Sequence, residues 1–153
     1  MQTILTPERT LYSVRAHSKK KTFELIADTI ANSVPSLRAN HIFDALVARE
    51  RLGNTNIGNG VAIPHAQIEQ SEQIIGCFVL LKDPIDYGDD HQSVDMLIAL
   101  ILPPSEGLHL DLISSIAELF QHENFCENLR QATSALDLYE KLIHAPSNMS
   151  GVK

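Results

Sequence analysis

The sequence predicts an α/β fold, a single domain with a mixed central β-sheet flanked by helices, and three observations point to it. Helical periodicity marks the early and the late parts of the chain, two β-branched apolar runs of strand length lie between them, and neither a repeat nor a low-complexity linker interrupts the order. The third is bulk composition: 153 residues, 44% hydrophobic and 20% charged, suit one ordinary globular core and set aside disordered or collagen-like chains.

After an N-terminal segment containing LYSV, the stretch KKKTFELIADTIANSV places Phe23, Ile26, Ile30 and Val34 at helical spacing, and Pro35 ends that helix. HIFDALVARERL sets Ile42, Leu46 and Val47 on a second amphipathic helix. Arg49 and Arg51 fall in its last turn, where cations suit the negative end of the helix dipole, and Gly53 permits the stop. In GNTNIGNGVAIPHA the alternation of glycine with asparagine reads as a constrained loop leading into a short strand at 61–63. Pro64 fixes its own φ and keeps Ile63 out of helical space, so His65 is expected on a held turn.

IIGCFVLLK from Ile74 and VDMLIALILP from Val94 read as buried strands, with a polar loop from Tyr87 to Gln92 between them. In LHLDLISSIAEL, Leu108, Leu112, Ile116 and Leu119 form one helical stripe, with His109 beside it at the core boundary. A short helix is expected over 124–129. A last one follows Ser134, whose spacing to Asp137 is an acidic variant of the capping box; the tail 146–153 is expected to fray.

The net charge of −7 disfavours nucleic acid or anionic membrane as the principal partner unless a local basic surface overcomes the mean field. Charge is uneven: residues 1–60 hold eight basic and five acidic side chains, residues 61–153 four and fourteen. Arg49 and Arg51, just ahead of the His65 loop, are the cations expected to make that region locally positive. Cys77 and Cys126 lack metal-ligand or CxxC spacing, and residues 1–10 have no signal-peptide pattern. A reducing, cytoplasmic setting is therefore expected, and no apolar run is long enough to cross a bilayer.

TNIGNG lacks the GxGxxG spacing and the GK[ST] of nucleotide-binding loops. Among the seven histidines, His65, His91 and His109 lack HExxH spacing, which leaves only a metal site assembled in three dimensions. His17, His41, His91, His122 and His144 read as surface or capping residues. His65 differs, because a glycine-rich loop, a short apolar strand and a proline converge on it. Three roles stay open to it on residues alone: a phosphorus nucleophile, a general acid or base, or a structural loop histidine.

A resemblance narrows these roles. ALVARERLG, NTNIGNGVAIPHA, PIDYGDDHQSVDMLIALILPP and LHLDLISSIAEL together resemble the EIIA domain of the fructose/mannitol class of the bacterial phosphoenolpyruvate-dependent phosphotransferase system. The match spans about residues 12–144 of a domain expected to occupy 1–153. With no transporter or second phosphotransfer domain attached, the chain looks most like the nitrogen-regulatory branch of that family.

The resemblance implies a type-2 EIIA fold and a transient phosphohistidine. The phosphoryl group arrives on Nε2 of His65 from a phosphocarrier, HPr or its nitrogen-branch paralogue NPr; His109 supports it and Arg49 binds its oxygens. Thr55, Gly58, Asn59, Gly60 and Pro64 shape the loop. Asn54, Thr55 and Asn56 stand where the family commonly has Ser-Thr-Gly. No organic cofactor or metal is required.

The implied output is regulation of partner proteins according to phosphorylation state, such as potassium-system or sensor-kinase components. The alternatives are a fructose/mannitol-type EIIA that passes phosphate to an EIIB component, and a regulatory binding protein independent of phosphorylation.

Overall fold

The computed structural model describes residues 4–88, 92–104 and 108–145. A 3-10 turn at Pro7–Arg9 leads into β1 (Thr10–Val14), followed by α1 (Lys19–Ser33), α2 (Ala39–Leu52), β2 (Asn56–Gly58), β3 (Val61–Ala62) and β4 (His65–Gln67). β5 (Ile75–Asp86), β6 (Ser93–Leu102), α3 (Leu108–Leu119), α4 (Glu123–Arg130) and α5 (Ala135–Ile143) complete the order.

The strands form one mixed sheet in the order β1-β5-β6-β3-β2, with β4 also pairing β6. β5 and β6 are antiparallel and make its centre, whereas β1 joins β5, and β3 and β4 join β6, in parallel. Period-two alternation gives each central strand two apolar faces. Cys77, Val79, Leu97, Ala99 and Ile101 pack with Ile26, Ile30, Ile42 and Leu46 of α1 and α2. On the other side Phe78, Met96, Ile98 and Leu100 pack with Ile116, Leu119, Leu129, Leu138 and Leu142 of α3 to α5.

Local chemistry sets the helix ends. The Ser18 side chain accepts from the Lys21 N–H, and Val34, confined by Pro35, caps α1 in non-helical backbone. Gly53 caps α2 at φ 170, so the helix stops in extended backbone and the glycine's left-handed freedom is not used there. Ser134 accepts from Asp137 N–H, one half of the expected box at α5, while the Asp137 carboxylate accepts from Thr133 N–H at 2.9 Å, one residue before the N-cap, where the box would have used Ser134 N–H.

The structure adds one element and corrects three expectations. The LYSV segment, left unassigned by the sequence, is a parallel edge strand, β1. The strand after Ile74 runs on to Asp86 across a bulge that accommodates Pro84. Tyr87, expected in a polar loop, is fully buried with its ring 6.2 Å from that of Phe23. His65 opens strand β4 instead of sitting on a turn, because its backbone pairs with Leu100. The tail 146–153 and His91 lie outside the described residues.

The β2–β3 hairpin turns through Gly58, Asn59 and Gly60, all at positive φ. A Cβ on Gly60 would lie 2.8 Å from both the Asp95 carboxylate and the Arg130 guanidinium, on a φ of +79 that side chains rarely adopt. Gly60→Ala is expected to cost about 1–3 kcal/mol, read as a lower urea midpoint at unchanged slope. An unchanged midpoint would show that this turn is not under constraint.

Candidate functional site

Backbone bonds on both sides fix where the His65 ring points. Ile63 N–H donates to the Thr55 carbonyl at 3.0 Å, and Leu100 N–H donates to the Pro64 carbonyl at 2.9 Å. The ring folds back so that Nδ1 lies 2.7 Å from the Ile63 carbonyl oxygen. A carbonyl only accepts, so Nδ1 carries the proton and Nε2 keeps a lone pair. Arg49 Nε–H donates to that lone pair at 3.3 Å.

Burial lowers the pKa of His65 below its ordinary value of 6.5; the bond to Ile63 opposes this, the Arg49 charge adds to it, and Glu50 opposes it in turn. The outcome is a neutral imidazole with a defined tautomer at neutral pH. That is the state a nucleophilic nitrogen requires.

Arg49 is held from the last turn of α2, where its Nη1 donates to the Gly53 carbonyl at 2.8 Å. Its neighbour Glu50 anchors the following loop: the carboxylate accepts from Thr55 N–H at 2.9 Å and lies 2.8 Å from the Thr55 hydroxyl, with Lys19 Nζ 3.0 Å away. The Tyr87 hydroxyl sits 2.9 Å from Thr55 Oγ1, and burial pushes its pKa far up, so it remains a protonated donor. Lys19 also donates to the Tyr87 carbonyl at 2.9 Å and stands 4.1 Å above the Tyr87 ring. Two asparagines replace flexibility with side-chain turns: Asn54 Oδ1 accepts from Asn56 N–H at 2.7 Å, and Asn56 Oδ1 from Gly58 N–H at 2.9 Å.

His109 enters from the first turn of α3 and is 9% exposed. The Gln67 side-chain amide donates to its Nδ1 at 3.4 Å, which leaves Nε2–H as a donor. Arg49, His65, Gln67 and His109 line one cleft of about 450 Å³, whose rim includes Leu52, 85% exposed, and Leu110, 73% exposed. One nucleophilic nitrogen, one guanidinium and one imidazole donor thus share a cavity wide enough for a phosphoryl group.

The loop-shaping residues do not line this cleft and act on it through the backbone that leads to His65. Pro64 links Ile63 to His65, and Thr55, Gly58, Asn59 and Gly60 form the hairpin before it. Arg130 clamps that hairpin from α4: Nε and Nη2 bind both Asp95 carboxylate oxygens, at 2.8 and 2.9 Å, and Nη2 also donates to the Asn59 carbonyl.

Sequence reasoning missed Gln67, Tyr87, Asp95 and Arg130. Gln67 had a readable signal, two positions after His65 and hence on the same face of a strand. The Asp95–Arg130 pair joins two elements and leaves no local pattern.

Arg51 faces a different groove between α1 and α2, so only one of the two expected cations reaches the cleft. His17, His41, His122 and His144 are exposed, and His144 pairs with Glu140 at 3.2 Å. Both cysteines are free and buried, and no group of three metal-ligating side chains gathers among the described residues. No helix among them is long and apolar enough to cross a membrane.

The family model described as "Phosphoenolpyruvate-dependent sugar phosphotransferase system, EIIA 2" matches residues 3–145. The chain belongs to this EIIA family. The EIIA chain is 36% identical over 151 residues to a nitrogen regulatory protein of Klebsiella oxytoca, covering 97% of this chain and 93% of that one. It is also 34% identical over 140 residues to the mannitol-specific phosphotransferase enzyme IIA component of Halalkalibacterium halodurans, covering 90% and 92%. The crystal structure of the nitrogen regulatory protein IIA-Ntr from Neisseria meningitidis superposes at a TM-score of 0.83 with 31% identity, over 92% of this chain and 97% of that one. The type-2 EIIA fold expected from the sequence is therefore the fold of this chain.

A lowered folded-state pKa for His65 means that the native EIIA chain binds fewer protons there than the unfolded chain. This group's contribution to stability is therefore present above pH 6.5 and is lost as pH falls through that value towards the folded pKa. NMR titration of the His65 ring is expected to give a midpoint below 6.5. A midpoint at or above it would contradict the buried neutral tautomer.

Proposed function

We propose that this protein is a nitrogen-regulatory EIIA that accepts a phosphoryl group on Nε2 of His65 and regulates partner proteins according to its phosphorylation state. The observation that carries the proposal is the bond from His65 Nδ1–H to the Ile63 carbonyl, which turns the lone pair of Nε2 into the cleft beside Arg49.

The donor is a phosphocarrier protein, HPr or NPr, bearing its own phosphohistidine. In the transfer, the donor's N–P bond breaks and its nitrogen keeps the electron pair, while the Nε2 lone pair of His65 forms the new N–P bond in line. No proton need move, since Nδ1–H continues to donate to Ile63. Arg49 shifts its N–H groups from Nε2 to the phosphoryl oxygens, and His109 offers Nε2–H to the same charge. Removing such a donor typically slows catalysis by about 10²–10³. A protein donor also suits the rim, because Leu52 and Leu110 give a carrier apolar surface to cover around the buried nucleophile.

The second reading, a sugar-type EIIA that hands phosphate to an EIIB component, is favoured by the mannitol-specific relative. The nitrogen-regulatory reading is preferred because the structural likeness to IIA-Ntr is higher, at a TM-score of 0.83 against 0.72 for the mannitol IIA of Escherichia coli. A cytoplasmic location follows from the same reading, since the phosphocarriers work there.

With phosphorylated NPr or HPr as donor, His65→Ala is expected to abolish acid-labile labelling. Persistence of stoichiometric label would rule out His65 as acceptor. His109→Ala and Arg49→Ala are each expected to fold and to slow labelling by about 10²-fold. An unchanged rate in either variant would remove that residue from the site. Recovery of only a sugar-transport EIIB by the phosphorylated protein would favour the second reading.

A further inference from the structure

Arg9 is a buried cation whose hydrogen bonds go to neutral acceptors. It is 8% exposed, and its guanidinium donates from Nε to the Gly76 carbonyl at 2.9 Å, from Nη1 to the Ser33 hydroxyl at 2.7 Å and from Nη2 to the Ile4 carbonyl at 3.0 Å. All three acceptors are neutral, and no ion pair joins Arg9 to a carboxylate among the described residues. Arg130, by contrast, is more exposed and holds two carboxylates. Taking an ion out of water costs several kcal/mol, and neutral acceptors offset only part of that. Burial accordingly lowers the pKa of Arg9 from its ordinary value, yet leaves a guanidinium charged at any physiological pH.

The same arginine borders a cavity of about 370 Å³ that shares no residue with the His65 cleft. The guanidinium lies between Ser33 and Gly76, whose chain neighbours Val34 and Ile75 form walls of this cavity. Ile74 adds a third apolar wall, and the remaining lining is polar: Ser36, Gln70, Ser71, Glu72 and Gln73. The loop carrying the last four is itself fixed, with Ser71 N–H on the Ile68 carbonyl at 3.0 Å and the Ser71 hydroxyl on the Gln73 carbonyl at 2.7 Å.

The charges select the ligand. A plain anion would satisfy Arg9 but meet the Glu72 carboxylate, and a plain cation would do the reverse. A molecule carrying both charges a short distance apart satisfies both. We propose that this cavity binds a small α-amino acid, with its carboxylate on Arg9, its ammonium on Glu72 and a small or polar side chain against the Gln70 and Gln73 amides. The volume lies in the range of small-molecule sites. The cavity also lies where the loop between β4 and β5 meets the C-terminal end of α1, so an occupant would tie these segments together. The site is independent of the phosphotransfer reading.

The test is an NMR titration of the full chain with L-serine and with L-glutamine. Propionate and ethylamine serve as controls that each carry one of the two charges. The expected result is saturable shifts at the amides of residue 36 and residues 70–73 for at least one amino acid, with a Kd on the order of 1 mM or tighter. Both controls should bind at least about tenfold more weakly, and Glu72→Gln, an exposed change, should weaken amino-acid binding by about tenfold. Arg9→Met should abolish it; if that variant does not fold, the Glu72→Gln titration decides. Absence of saturable shifts, equal binding of propionate, or undiminished binding by Glu72→Gln would each overturn the proposal.

Discussion

The cleft is organised around one hydrogen bond, from Nδ1–H of His65 to the carbonyl of Ile63, only two residues back along the chain. So short a closure needs a backbone that cannot relax. Pro64 supplies a fixed φ between the two residues, β3 and β4 both pair β6 on either side of it, and Thr55 takes the Ile63 N–H. Those pairings rest on the hairpin that Arg130 and Asp95 clamp and on the loop that Glu50, Thr55 and Tyr87 hold. The imidazole tautomer is therefore set by layers of structure that never touch the cleft.

The electrostatics follow the same economy. The net charge is −7, and among the described residues Arg49 is the cation brought onto the His65 ring, so the cleft is locally positive without a broad basic surface. The excess of cations in residues 1–60 is largely spent elsewhere. Lys19 is committed to Glu50 and the Tyr87 carbonyl, Arg9 is buried against neutral acceptors, and Arg51 borders another groove. A single positive side chain against a neutral imidazole suits transfer of one phosphoryl group while leaving the surface unattractive to polyanions.

Much of this was legible in the sequence, and what was not has physical reasons. Helices α1, α2, α3 and α5 announce themselves by period and caps, and β6 by its apolar run. The glycines and asparagines around Gly58 and the Pro64–His65 step point to the site itself, and the family resemblance brings His109 and Arg49 to it. β1 and β4 stayed hidden, because five and three residues give no period and their pairing partners are far along the chain. Tyr87 was misread because an aromatic ring among Asp, Gly and Gln looks like loop, yet its hydroxyl finds Thr55 and its ring finds Phe23. The Arg130 clamp depends on a partner 35 positions away, beyond the reach of any local pattern.

The measurement that bears most directly on the tautomer is ¹⁵N NMR of the His65 imidazole in the protein after phosphorylation by its carrier. Phosphorus coupled to Nε2, with the Nδ1 proton retained and slow to exchange with solvent, is the result that the Ile63 bond predicts. Phosphorus on Nδ1 would contradict it, since that nitrogen would then have lost its bond to the carbonyl on which the geometry of the cleft depends.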